Sequence, residues 1–196
     1  MSKRHLDIGA CGLDCSLCPR HFTEGKSRCE GCGSEYSYAK VGCKLYRCCV
    51  SEKGLETCAA CSDFPCPMLE GAAEADSFVT HRMMISNLRF IARSGIGEYL
   101  REQELRRHAL ERMLNEFNDG RSKGYYCLAA RLLSVGALVE ALDKATERAG
   151  HEGGEGGDRT KMRRILKDEL DAAATRERVD LLLRKAAPRR RRAGAP

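Results

Sequence analysis

No stretch of this 196-residue chain approaches the roughly 18 consecutive apolar residues of a membrane span. Residues 1–10, MSKRHLDIGA, hold no apolar run of signal-peptide length either, so the expectation is a cytoplasmic protein with no membrane partner. Paired carboxylates, a Ser/His/Asp constellation and a phosphate-binding glycine loop are also missing, which leans the reading away from an enzyme. An excess of one charge is absent over most of the length. The net charge is +6, and residues 184–196 alone carry six positive side chains and no acid, which leaves the remainder near neutral. A uniformly basic nucleic-acid-binding domain is therefore not expected.

Cysteine is what the chain has in quantity. Eleven of its twelve cysteines fall between Cys11 and Cys66. Three pairs are Cys-x-x-Cys: Cys15 with Cys18, Cys29 with Cys32, and Cys58 with Cys61. A two-residue gap lets the chain turn so that both sulfurs point at one centre and backbone N–H groups bond the thiolates, the construction of structural zinc sites. In a reducing compartment the same spacing favours metal over a disulfide framework. Large apolar side chains are sparse between the cysteines, so such a segment needs help to fold. A structural zinc ion, worth about 10–16 kcal/mol at neutral pH, supplies it.

Ten cysteines have ligand spacing: Cys11, Cys15, Cys18, Cys29, Cys32, Cys43, Cys48, Cys58, Cys61 and Cys66. The simplest partition into about two zinc sites of four thiolates places Cys15, Cys18, Cys29 and Cys32 around one ion. Cys58 and Cys61 then join two of Cys43, Cys48 and Cys66 around another. Interleaved pairings are equally allowed, and Cys11, His5 or His21 can replace a thiolate. Cys49 directly follows Cys48, and adjacent residues seldom both reach one ion, so Cys49 reads as a free, small buried side chain.

Iron is the rival metal, because thiolates also hold iron–sulfur clusters. Cys11-x3-Cys15-x2-Cys18 has the three-cysteine spacing of radical S-adenosylmethionine enzymes, but the helical pattern after Cys66 offers no barrel to accompany it. Lys44, Arg47 and Lys53 lie close in sequence to Cys48 and Cys49, where a cation lowers a thiol pKa if it is also close in space.

The segments CGLDCSLCPRHF, CEGCG, CKLYRC and KGLETCAACSDFPC together resemble the cysteine-rich family DUF3795, over about residues 9–67. The resemblance implies zinc binding through the same ten cysteines. It leaves Cys49 outside the pattern, where small residues are usual, and it implies no reaction.

After Pro67 the periodicity turns helical. Helices are expected over 78–93, 97–118, 125–134 and 137–149, and another from an Asp158 N-cap. In the second, Leu110, Met113, Leu114 and Phe117 form the core stripe, and Glu98, Arg101, Glu102, Arg106, Arg107 and Glu111 a solvated face. Cys127 reads as core. Arg121 and Lys123, beside Tyr125 and Tyr126, read as a solvated helix start. Residues 179–183 either extend the last helix or form a short strand.

The expected architecture is a small metal-stabilised cysteine-rich domain, residues 1–67, plus an all-α helical domain, residues 68–150. A flexible linker 151–157, a C-terminal helix within 158–187 that either continues through 179–183 or gives way to a short strand, and a disordered basic tail 188–196 complete it. The expected function is a zinc-binding interaction or scaffolding module with an unidentified protein partner. The alternatives are an iron–sulfur redox or accessory protein, and a zinc-knuckle protein binding nucleic acid non-specifically through Arg189, Arg190, Arg191 and Arg192.

Overall fold

The computed structural model describes residues 3–35, 37, 42–152 and 158–185. Residues 153–157 of the expected linker and the whole 188–196 tail, with Arg189–Arg192, lie outside the described residues. The chain is mainly helical: α1 is Lys44–Tyr46, α2 Pro67–Ala73, α3 Met84–Ser94, α4 Ile96–Glu116, α5 Lys123–Leu132, α6 Val135–Glu152 and α7 Arg159–Glu177. Among the described residues no strand forms; Ile8 and Asp14 make an isolated antiparallel bridge. No described helix is long and apolar enough to cross a membrane.

The helices form where the apolar period is 3.6. In α4 the buried residues Tyr99, Gln103, Leu110 and Met113, with Phe117 just beyond, recur at steps that keep one face inward. On α6 and α7, Leu138, Leu142 and Ala145 meet Ile165, Leu166, Leu170 and Ala173 in the main core. Gly95, at φ 84°, ends α3 and turns the chain directly into α4. Asp158 caps α7 as expected, accepting the Thr160 N–H at 2.9 Å.

Three details depart from the sequence reading. The helix expected from residue 78 begins at Met84, because Asp76 pulls residues 76–82 into a loop by accepting the His81 N–H at 2.8 Å. Arg106 does not simply face solvent: its guanidinium donates to the Ala130 carbonyl at 2.9 Å and to that of Leu133, satisfying orphan carbonyls at the end of α5. Residues 179–183 are neither strand nor helix. Arg178 adopts the left-handed conformation and the Val179 N–H returns to the Ala174 carbonyl, which closes α7.

The cysteine-rich stretch is packed into the helices rather than tethered to them. Leu17, with no exposed surface, belongs to the main helical core, and Met84 and Leu88 of α3 belong to a second cluster with the cysteines. Lys123 donates to Thr23 Oγ1 at 3.1 Å, so its ammonium serves this joint and not a solvated start.

Between the two parts lies Asp14, 4% exposed. Its carboxylate accepts from Tyr99 of α4 and, at 3.2 Å, from Asn87 of α3; Arg131 of α5 donates to its carbonyl at 2.7 Å. Burial raises the Asp14 pKa, and the Arg131 charge and Tyr99 hydroxyl counter only part of that. Replacing Asp14 by Ala leaves Arg131 buried without its counter-charge, so Asp14→Ala is expected to cost about 3 kcal/mol in urea denaturation followed by circular dichroism. A cost below about 1 kcal/mol would show that Asp14 is not the joint described.

Asp76 fastens the end of the described chain. Its side chain has no exposed surface and pairs with Arg184 at 2.8 Å, while Arg82 donates to the Asp180 and Leu182 carbonyls. Burial would raise its pKa, but hydrogen bonds from Arg184 and from the His81 N–H prevail and hold it well below the usual carboxylate range. A depressed folded value means that the contribution is complete above the unfolded value of about 3.9 and is lost as pH falls through the folded one. Amide exchange at residues 181–184 is therefore expected to accelerate between about pH 4 and about pH 2, and Asp76→Asn to show that fast exchange already at neutral pH. Exchange insensitive to both changes would contradict this fastening.

Candidate metal centre

The cysteines are placed by a short spine, residues 6–10. Its carbonyls take the Cys15 N–H at Asp7 (2.8 Å), the Cys32 N–H at Leu6 (3.0 Å) and the Cys58 N–H at Ala10 (2.8 Å). Three segments far apart in sequence thus meet at one place. Cys15–Leu17 and Cys58–Ala60 are single 3-10 turns, closed by the Cys18 N–H on Cys15 and the Cys61 N–H on Cys58, both at 3.1 Å. Two of the three Cys-x-x-Cys pairs therefore make the turn their spacing implies. The third passes through Gly31 at φ 122°, where a Cβ would stand 2.0 Å from the Leu6 carbonyl oxygen. Only glycine permits that approach.

Seven thiols enter one packed cluster: Cys11, Cys32, Cys49 and Cys58 buried, with Cys15, Cys43 and Cys66 partly buried against them. Cys11, Cys15, Cys32 and Cys43 lie in one another's fields. Burial pushes the Cys11 thiol up to about 12, and Cys32, Cys43 and Cys58 add to the rise. The Cys15 thiol is raised by burial and then by Cys32 and Cys11; its sulfur is enclosed although part of the residue is exposed. Backbone amides oppose this rise: Leu13 faces Cys11, Cys32 faces Cys15 and Ala10 faces Cys32. The Lys3 ammonium, whose side chain is fully buried, also favours the Cys32 thiolate. Glu56 holds Lys3 there, accepting from its Nζ at 3.0 Å and from the His5 N–H at 2.8 Å.

A second group of thiols borders a cleft of about 260 Å³: Cys48, Cys49, Cys58, Cys61 and Cys66. Leu45, Phe64 and Leu69 supply apolar wall. Arg47–Glu52 prolongs α1 as a π-helical turn, closed by the Lys53 N–H on the Cys48 carbonyl at 3.1 Å. That wider turn lets the consecutive Cys48 and Cys49 both border the cleft. Cys49 is 3% exposed and its S–H donates to the Leu55 carbonyl at 3.7 Å, the small buried side chain expected of it. Beside Cys58, it helps raise that thiol together with burial. At the open side Lys53 donates to Asp63 at 2.6 Å and to Cys61 Sγ at 3.2 Å. Of the three cations near Cys48 and Cys49 in sequence, Lys53 borders this cleft, and the sulfur it bonds is that of Cys61.

Cys18 stands toward the helices, and Cys29 lies in the field of Cys32. Cys18 lies in the field of Cys15 and of Cys127, and the His21 N–H bonds the Cys18 carbonyl at 2.8 Å. His21 has its pKa lowered by burial and by Arg28. His5 reaches Glu56 through its backbone. Cys127 is 1% exposed in the main core, as its sequence context implies. All twelve cysteines are free thiols. Among the described residues no three Cys, His, Asp or Glu side chains stand close enough to hold a metal ion.

A thiol-rich layer pinned by one short spine to an α-helical core is the kind of protein that this geometry defines. Residues 7–71 match the family DUF3795, described as a protein of unknown function, the family that the cysteine motifs resemble. No curated protein and no solved structure matches the chain.

Because Gly31 admits the Leu6 carbonyl and thereby places Cys32, Gly31→Ala is expected to destabilise the protein by about 2 kcal/mol or more. Gly25→Ala, where φ is also positive but nothing lies within 4 Å, is expected to cost less. Equal denaturation midpoints for the two variants would show that the spine contact is dispensable.

Proposed function

We propose that this protein is a zinc-binding interaction or scaffolding module, in which thiolate-held metal stiffens residues 3–69 against a helical body. The observation that carries the reading is the packed cluster of seven thiols with the buried Lys3 ammonium beside it. Thiols so placed are costly to ionise without a cation, and a divalent ion supplies it while releasing their protons. The donor chemistry of Cys11, Cys15, Cys32 and Cys43 fits zinc: soft sulfurs, with amides facing three of them. Binding would draw these sulfurs inward from their present spacing. Cys48, Cys58, Cys61 and Cys66 form the second donor set, and Cys18, beside Cys127 of α5, and Cys29, beside Cys32, flank the first.

A closed zinc–thiolate site has no open position for substrate, which favours a structural role. An interaction surface is supported by apolar side chains left outside: Phe78 is 59% and Leu182 69% exposed, on segments joined through Arg82 and Arg184. The nucleic-acid reading rests on Arg189–Arg192, outside the described residues.

The test is zinc content and folding of full-length protein purified without a metal-chelating tag. Zinc is expected to copurify, and a strong chelator to unfold residues 3–69, consistent with the about 10–16 kcal/mol that a structural site contributes. Cys11→Ser is expected to lose zinc, whereas Cys127→Ser keeps it. A metal-free protein whose circular dichroism and melting temperature ignore both zinc and chelator would refute the reading.

A further inference from the structure

The two thiol sets differ in shape. Cys11, Cys15, Cys32 and Cys43 belong to the packed cluster, whereas Cys48 and Cys61, together with Cys58 and Cys66 of that same cluster, line an open space of about 260 Å³. A single zinc ion sits about 2.3 Å from each of its four sulfurs and leaves no free volume among them. The space here is several times the about 30 Å³ that one water occupies, enough for a body several atoms across. Its other walls, Leu45, Phe64 and Leu69, are apolar. Cys49 already donates to the Leu55 carbonyl and lies beside Cys58, which leaves four other cysteines around the cleft as ligands.

We infer that this cleft holds an iron–sulfur cluster, ligated by Cys48, Cys58, Cys61 and Cys66. The inference rests on the reading of residues 3–69 as a thiolate metal module and assigns the occupant of its second donor set. Four cysteine thiolates are the usual protein ligands of such clusters. A preformed cluster enters by ligand exchange: four protein S–H groups lose their protons as four Fe–S bonds form, the departing thiolates take up those protons, and no oxidation state changes. The resulting assembly carries excess negative charge, which the Lys53 ammonium, donating to Cys61 Sγ at 3.2 Å, partly offsets. A hydrogen bond to a ligating sulfur raises the cluster's reduction potential. Lys53 is thus a tuning residue rather than a ligand, and Asp63, at 2.6 Å from its Nζ, positions it.

The experiment uses full-length protein purified without oxygen and loaded by transfer of a preformed iron–sulfur cluster from a thiolate complex, with zinc, iron and acid-labile sulfide measured beside the visible spectrum. Iron and sulfide in equal amounts, with broad visible absorption that reductant bleaches, are expected. Cys66→Ser is expected to lose iron, sulfide and colour while retaining zinc; Cys11→Ser is expected to lose zinc. Lys53→Met, which removes no ligand, is expected to retain full iron and lower the reduction potential. Zinc in both donor sets with no colour after transfer overturns the cluster and leaves the metal module standing. Protein that takes up neither metal overturns both. Iron retained in full by Cys66→Ser overturns the ligand assignment, and an unchanged potential in Lys53→Met overturns the role of Lys53.

Discussion

A carboxylate with almost no access to water joins the two parts of this molecule. Asp14 lies between Cys11 and Cys15, so the segment that feeds sulfur into the thiol cluster is the one gripped by Tyr99, Asn87 and Arg131 from three successive helices. Burying such a group is unfavourable unless its partners are in place. The partners come from α3, α4 and α5, and they cannot assemble around Asp14 unless those helices are already packed. Three residues further on, Leu17 inserts into the same helical core. The cysteine layer and the helical body therefore share their free energy of folding: what tightens one tightens the other. A metal bound at Cys11 and Cys15 would be felt along α4, with no hinge between them to absorb the change.

Electrostatics divides the sulfurs into two environments. Toward the interior, burial and mutual proximity hold the thiols of Cys11, Cys15 and Cys32 protonated, and the local countermeasures are backbone amides and the Lys3 ammonium. Lys3 is itself held in the interior by Glu56, whose carboxylate burial would raise but which hydrogen bonds from His5, Arg4 and Lys3 hold below its ordinary value. Toward the surface, Lys53 and Asp63 pair in the open beside Cys61, where solvent screens the pair and its contribution to stability is small. A buried ammonium beside thiols shapes which protonation state the fold tolerates. An exposed one beside a thiol acts mainly on that sulfur.

The sequence disclosed what is local. Cys-x-x-Cys spacing foretold the turns at Cys15 and Cys58, and apolar periodicity foretold the long helices to within a few residues, because both signals lie within one turn of chain. The Asp158 cap and the burial of Cys49 and Cys127 were legible for the same reason. Contacts across long separations were not. That Cys11 lies in the field of Cys32, Cys43 and Cys58 follows from carbonyls of residues 6–10 accepting from three remote cysteines, and no spacing records such pairings. Arg106 looked like one more charge on a solvated face, since its distinguishing feature is the free carbonyls at the end of α5, 24 residues or more away. Asp76 left no signal either: its partner Arg184 stands 108 residues on.

The π-helical turn at Arg47–Glu52 shows how a small backbone irregularity redistributes chemistry. In a regular α-helix consecutive residues diverge by about 100°, so Cys48 and Cys49 would serve different surroundings. The wider turn brings both to the cleft, after which their hydrogen bonding separates them: Cys49 spends its S–H on the Leu55 carbonyl, while Cys48 is only partly buried. Adjacent cysteines are thereby sorted into a packing residue and an available ligand. The same sorting separates the two thiol sets. A set spread around an open cleft can hold a group larger than a single ion and leave it exposed to a partner. If the protein has chemistry beyond holding itself together, the cleft side of the cysteine layer is where the fold permits it.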